Sequence, residues 1–184
     1  MSSRPADRIY ITGFMGSGKS TVGPLLAASL GHQFIDLDAA IEANEGKTVP
    51  EIFREKGELD FRSLERRELR HLSTRSRIVV ATGGGALTDP GSLAIVRGSG
   101  VLVYLEVPVD ILFARLRGWR GRPMIAAEDG TPLTDDLLRE RIRSLLFSRE
   151  PFYRLADIIV DAGSLSPGDT AGAILASLDA LRRG

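Results

Sequence analysis

Eight consecutive residues near the start of the chain constrain this sequence most: Gly13-Phe14-Met15-Gly16-Ser17-Gly18-Lys19-Ser20. They match G-x-x-x-x-G-K-[ST] at every fixed position, where chance at this composition gives roughly 0.004 matches per chain. The flanks agree with the motif. Ile9-Tyr10-Ile11-Thr12 reads as a buried strand entering it, and Ser20 to Leu30 carries Val22, Leu25, Leu26 and Leu30 at helical spacing leaving it. Glycines let a loop turn its backbone N–H groups inward, toward phosphate oxygens. The Lys19 ammonium reaches β- and γ-phosphates, the Ser20 hydroxyl binds Mg²⁺, and the helix N-terminus adds its positive dipole. This segment therefore reads as a nucleoside triphosphate site.

Composition narrows what surrounds that loop. The chain has 184 residues, one domain's worth, with 43% hydrophobic and 26% charged residues. Its 24 basic and 24 acidic side chains cancel, which argues against a dedicated nucleic-acid or membrane-surface binder. No apolar run approaches the ~18 residues of a membrane span. Met1 to Arg8 is polar and lacks the apolar core of a signal peptide. Cysteine is absent, which removes disulfides, thiolate catalysis and Cys-ligated metals. With only His32 and His71, a His-rich metal site is not expected. The expectation is a soluble, cytoplasmic, monomeric protein with no nucleic-acid or membrane partner.

Beyond the loop, short β-branched runs alternate with amphipathic stretches. Further strands are expected at Phe34-Ile35-Asp36, Ile78 to Ala81, Val101 to Leu105 and Ile158 to Val160. Helices are expected at Leu37 to Asn44, from a Thr48–Glu51 capping box to Gly57, and from Glu58 to Ser73. Others follow Asp89-Pro90, span Val109 to Leu116, run from Thr134 to Phe147, and open at Ser166-Pro167. Such alternation implies a parallel sheet covered on both faces. Arg117 to Asp136, with Gly118, Gly121, Pro123, Gly130 and Pro132, has little periodicity and is the segment expected to move most.

Several residues fall at strand ends, where open parallel sheets bind ligands. Asp36 and Asp38 bracket Leu37 after the second strand. In an extended segment both would face the phosphate loop, one toward a hydrated Mg²⁺ and one toward a substrate hydroxyl. Taken alone, helix capping before Ala39-Ala40-Ile41 is the weightier reading of the pair. Gly83-Gly84-Gly85 ends the third strand and permits close approach to a ligand. Arg62 and Arg149, each taken alone, read as solvated helix-face residues. Arg115, Arg117, Arg120 and Arg122 form a local basic patch. It can contact nucleic acid, or fold over a triphosphate as an arginine finger in cis.

Together the motifs resemble those of the shikimate kinases. The resemblance rests on Gly13 to Gly23, Phe34-Ile35-Asp36-Leu37-Asp38, Ile52-Phe53, Gly57-Glu58, Phe61-Arg62, Glu65, Thr82 to Ala86, Arg122-Pro123 and Arg149 to Tyr153. It extends from about Arg8 to Leu181. It implies an α/β fold like the nucleoside monophosphate kinases, a three-layer P-loop NTPase architecture with a five-stranded parallel sheet. One domain, residues 1–184, would include a substrate-binding helical region at about 37–65 and a lid at about 117–131. The implied reaction is phosphorylation of the 3-hydroxyl of shikimate by ATP with Mg²⁺, a step of aromatic amino-acid biosynthesis. By that resemblance ATP is held by Gly16, Ser17, Gly18, Lys19, Ser20, Thr21, Arg115 and Arg122. The metal is held by Ser20 and, through its outer shell, Asp36. Shikimate is held by Asp38, Arg62, Gly83, Gly84, Gly85 and Arg149, with Glu65 orienting Arg62. Lys19, Asp38 and Arg122 carry the catalysis. The chain departs from the family's lid pattern at Leu116, Trp119 and Met124-Ile125. The rival readings are a kinase of another hydroxy-acid such as gluconate, and a ligand sensor without turnover.

Overall fold

The computed structural model describes residues 7–118, 123–125, 131 and 133–183. Five strands, β1 (Arg8–Thr12), β2 (Gln33–Asp36), β3 (Ile78–Ala81), β4 (Val101–Glu106) and β5 (Ile158–Asp161), form one sheet. All pairings are parallel and the order is β2-β3-β1-β4-β5. The helices are α1 (Lys19–Leu30), α2 (Leu37–Glu45), α3 (Val49–Leu72), α4 (Pro90–Ser99), α5 (Val109–Leu116), α6 (Asp135–Tyr153) and α7 (Pro167–Arg183), with 3₁₀ turns at Ala86–Thr88 and Pro123–Ile125. The expected three-layer α/β fold with a five-stranded parallel sheet is what the chain adopts.

β1 is central, and its Ile9, Tyr10, Ile11 and Thr12 are all fully buried. A strand covered on both faces needs such a run. Alternation along it then splits the core. Ile9 and Ile11 face one layer with Val22 and Leu26 of α1, Leu112 of α5, Ile142 of α6 and Ile174 of α7. Tyr10 faces the other with Leu37 and Ile41 of α2, Ile52, Phe61 and Leu69 of α3, and Val96 of α4. The chain leaves β1 for β2 on one side, and β3 leads to β4 on the other. The crevice at that reversal lies over the carboxyl end of β1, where such sheets bind ligands.

Two elements differ from expectation. The two helices expected on either side of Gly57 join as α3, with Gly57 at φ 79° and ψ 176° marking a kink between them. α6 runs to Tyr153 rather than stopping near Phe147, and carries Pro151 in its last turn. There the proline forgoes only the bond to the Phe147 carbonyl, and residue 147 is open to solvent. Burial of Arg149 and Tyr153 along the same turn repays the extension.

Candidate active site

The loop between β1 and α1 has the geometry its sequence demands. Gly18 caps α1 in the left-handed region at φ 99°, so α1 opens with Lys19 and directs its first N–H groups into the loop. Lys19 Nζ donates to the Gly13 and Phe14 carbonyls at 2.8 and 3.0 Å. Ser20 Oγ donates to Asp36 Oδ2 at 2.9 Å, bringing the end of β2 to the start of α1. Gly16 to Thr21 line a cleft of about 820 Å³ together with Asp36, Asp38, Gly83, Gly84 and Arg115.

Asp36 both caps a helix and reaches the phosphate loop. Its Oδ1 caps α2, accepting from Asp38 N at 3.1 Å and Ala39 N at 3.4 Å, while Oδ2 takes the Ser20 hydroxyl. Asp38 does not lie in an extended segment, which corrects the argument that placed it there. It is the second residue of α2, and reaches the cleft because the helix turns immediately after the β2 end. The capping interpretation therefore holds for Asp36, and Asp38 adds a carboxylate to the first turn of the same helix.

The glycine triplet is where the remaining candidates meet. A methyl group on Gly83 would sit 2.6 Å from Glu65 Oε1 and 3.0 Å from Asp38 Oδ1. One on Gly84 would lie 3.5 Å from an Arg149 terminal nitrogen, and also 3.5 Å from the Gly13 carbonyl and the Met15 N. One on Gly85 would collide with the Arg62 guanidinium at 2.2 Å. A side chain at Gly85 would have to displace the Arg62 guanidinium, so the triplet is a close-approach surface. Neither Arg62 nor Arg149 is a solvated helix-face residue. Arg149 is 5% exposed, and the Arg62 side chain is 13% exposed. Arg62 donates to Glu65 Oε2 at 2.6 Å and to Glu58 Oε1 at 2.8 Å. Neither arginine lines the main cleft, and of the triplet only Gly83 and Gly84 do; Arg62 borders a smaller cavity with Glu58 and Thr88.

Glu65 is fully buried, and its Oε1 has no hydrogen-bond partner among the described residues. Burial pushes its carboxyl up to about 7; Arg62 pulls back and Asp38 adds to the rise. Arg115 donates to the Gly16 carbonyl at 3.0 Å and the Ala162 carbonyl at 3.4 Å, tying the phosphate loop to the end of β5. Arg122, with Trp119 and Arg120, lies outside the described residues, as does most of the span expected to be a lid. Sequence reasoning missed Glu58 and Tyr153 as neighbours of the site. Each is four residues from a named arginine on a helix, the one spacing that would have suggested them.

A phosphate loop at the switch point of a parallel sheet, flanked by a carboxylate, a buried arginine and a half-buried one, defines a P-loop kinase of a small, anionic, hydroxylated metabolite. The comparisons agree and go further. The family model described as shikimate kinase matches residues 15–179. The shikimate kinase of Chlorobium chlorochromatii (strain CaD3) is 46% identical over 162 residues, which are 88% of this chain and 85% of that protein. That of Salinibacter ruber (strain DSM 13855 / M31) is 47% identical over 156 residues, 84% of this chain and 76% of that protein. Among solved structures, the shikimate kinase of Acinetobacter baumannii in complex with shikimate superposes with a TM-score of 0.87 at 35% identity, covering 96% of this chain and 95% of that one. The chain belongs to the shikimate kinase family.

Proposed function

We propose that this chain transfers the γ-phosphoryl group of ATP to the 3-hydroxyl of shikimate through the residues gathered at the glycine triplet. The observation that carries this reading is the convergence of Asp38, Arg62, Glu65 and Arg149 on Gly83-Gly84-Gly85, beside the phosphate loop. A small anionic polyol needs cations at its carboxylate end and an acceptor at its reacting hydroxyl. Arg62 and Arg149 supply planar guanidinium groups suited to a carboxylate. Asp38, on the cleft side, accepts the proton of the attacking hydroxyl. The loop amides and Lys19 hold the phosphates, with Lys19 exchanging its two carbonyl contacts for phosphate oxygens. Arg115 borders the nucleotide end, and Arg122 stands at the family's position for the lid arginine.

The Ser20 hydroxyl and Asp36 carboxylate form an all-oxygen donor pair 2.9 Å apart, which fits Mg²⁺. Among the described residues there is no cage of three or more His, Asp or Glu, and Mg²⁺ completes its shell with water and substrate phosphates in such sites. When bound, it neutralises charge on the β- and γ-phosphate oxygens. Phosphoryl transfer otherwise depends on positioning and charge stabilisation, both of which these fixed groups provide.

The test is ADP release with Mg·ATP, run with shikimate, with gluconate and with neither. Shikimate-dependent turnover of about 1–100 s⁻¹ is expected. Activity with gluconate alone would overturn the assignment of Arg62 and Arg149. In the same assay Asp38→Asn is expected to lower turnover by ~10²–10⁴-fold. Near-wild-type turnover in that variant would remove Asp38 as the proton acceptor.

A further inference from the structure

Tyr153 closes α6 and is 1% exposed, yet its hydroxyl sits among the groups assigned to substrate. It donates to the Gly84 carbonyl. The Arg149 guanidinium, one helical turn earlier on the same face, lies beside the same peptide, a terminal nitrogen 3.5 Å from a methyl group placed on Gly84. The phenol proton goes to Gly84, which leaves the phenol lone pairs facing the donor-only guanidinium of Arg149. The ring is fixed by Tyr104 of β4, with centroids 5.2 Å apart. Burial pushes the phenol up to about 12, with Arg149 opposing, so it stays a proton donor throughout the physiological range.

The consequence follows from the planarity of the peptide bond. In a trans peptide the Gly84 carbonyl and the Gly85 N–H point to opposite sides. Drawing the carbonyl onto Tyr153 therefore turns the Gly85 N–H away from α6. Among the described residues, the Ala86 and Thr88 N–H groups are satisfied within the turn, by the Gly83 and Gly85 carbonyls. The Gly84 and Gly85 N–H groups have no such backbone acceptor; Gly84 lines the cleft, and Gly85 is buried against the Arg62 guanidinium. A run of three glycines has no side chains of its own to hold its peptide planes, so an external tether is needed to fix them.

Resting on the shikimate reading above, we propose that Tyr153 is a positioning residue for substrate recognition. Through one hydroxyl it sets both the Gly84–Gly85 peptide plane and the Arg149 guanidinium, the backbone and the cationic halves of the shikimate contact. The role belongs to binding rather than to chemistry, because the phenol is buried and does not line the cleft that the phosphate loop borders.

Tyr153→Phe tests this, since it keeps the ring and its packing on Tyr104 and removes only the hydroxyl. The expected result is a shikimate KM raised about tenfold, or ~1.4 kcal/mol, with the ATP KM unchanged and kcat reduced much less. The methyl ester of shikimate supplies a readout that mere destabilisation would not move. The ester lacks the charge that Arg149 grips, so the preference for acid over ester is expected to shrink in the variant. Tyr104→Phe, which removes the neighbouring buried hydroxyl, is expected to leave both KM values unchanged. An unchanged shikimate KM in Tyr153→Phe would overturn the inference. So would a parallel rise in both KM values, an intact acid preference, or an equal effect from Tyr104→Phe. Wild-type protein inactive with shikimate would instead sink the functional reading itself, which keeps the two failures apart.

Discussion

Glu65 shows how much a single buried group decides here. Its Oε2 holds Arg62, while its Oε1 lies against the triplet with Asp38 close by. Arg62, Asp38, Arg149 and Tyr153 are the charged or titratable groups that act on it. The carboxyl is raised from 4.5 to about 7, so the folded chain keeps a proton that the unfolded chain releases between those values. Stability therefore falls as pH rises through that window, and the loss is complete above it. Glu65→Gln removes the titration and is expected to flatten the urea-unfolding free energy across the same range. An equally steep slope in the variant would assign the effect to another group. An anionic substrate beside Glu65 raises the carboxyl further, so shikimate binding takes up a proton. Its KM is expected to rise as pH climbs past about 7 in the wild type and to vary less in Glu65→Gln.

At the scale of elements, α3 is the informative case. Its first half carries Val49 and Pro50 to the cleft, and its second half carries Arg62 and Glu65 behind the triplet. The kink at Gly57 joins two directions that one straight helix could not take. Glu45 of α2 bridges the two halves, pairing with Lys56 at 2.8 Å and Arg67 at 2.7 Å. These pairs are at the surface and contribute little, so the conformation at Gly57 dominates the energetics of the kink. No atom lies within 4 Å of a methyl group placed on Gly57, leaving backbone strain as the only penalty of a side chain. Gly57→Ala is expected to cost about 1–3 kcal/mol in urea unfolding, because φ 79° and ψ 176° lie in a region essentially reserved for glycine. A neutral result would mean that the helix straightens at no cost. The break was legible because Gly57 stands between two separately periodic stretches. The five strands and the phosphate loop were legible for a similar reason, since their signals are local. Asp38 misled because the extended reading conflicted with the helix already expected from Leu37, whose second residue also reaches the cleft. The burial of Arg149 was hidden because only tertiary packing brings α6 against the triplet. The far end of α6 was hidden because a proline near a helix end does not reveal whether the last turn forms.

Across the whole molecule, the cleft lies where two separate cores meet at one edge of the sheet. The phosphate loop and α1 rest on the layer with α5 and α7, whereas Asp38, Arg62 and Glu65 rest on the layer with α2, α3 and α4. On the proposed assignment nucleotide and shikimate load different layers, and β1, β3 and β4 contribute side chains to both. A ligand that binds the folded chain alone stabilises it by about 2.7 kcal/mol at a hundredfold excess over its Kd. For a chain of this size each kcal/mol raises the melting temperature by about 2–4 °C. Mg·ADP and shikimate are each expected to raise it by about 5–10 °C at that excess. Added together, they are expected to give at least the sum, because both ligands fix the triplet and the second finds it already ordered. Differential scanning fluorimetry with each ligand, with both, and with gluconate in place of shikimate measures this directly. A shift with Mg·ADP but none with shikimate would leave the phosphate loop intact and remove the triplet as the acceptor site. A combined shift smaller than the sum would mean that the two layers compete for the triplet rather than share it.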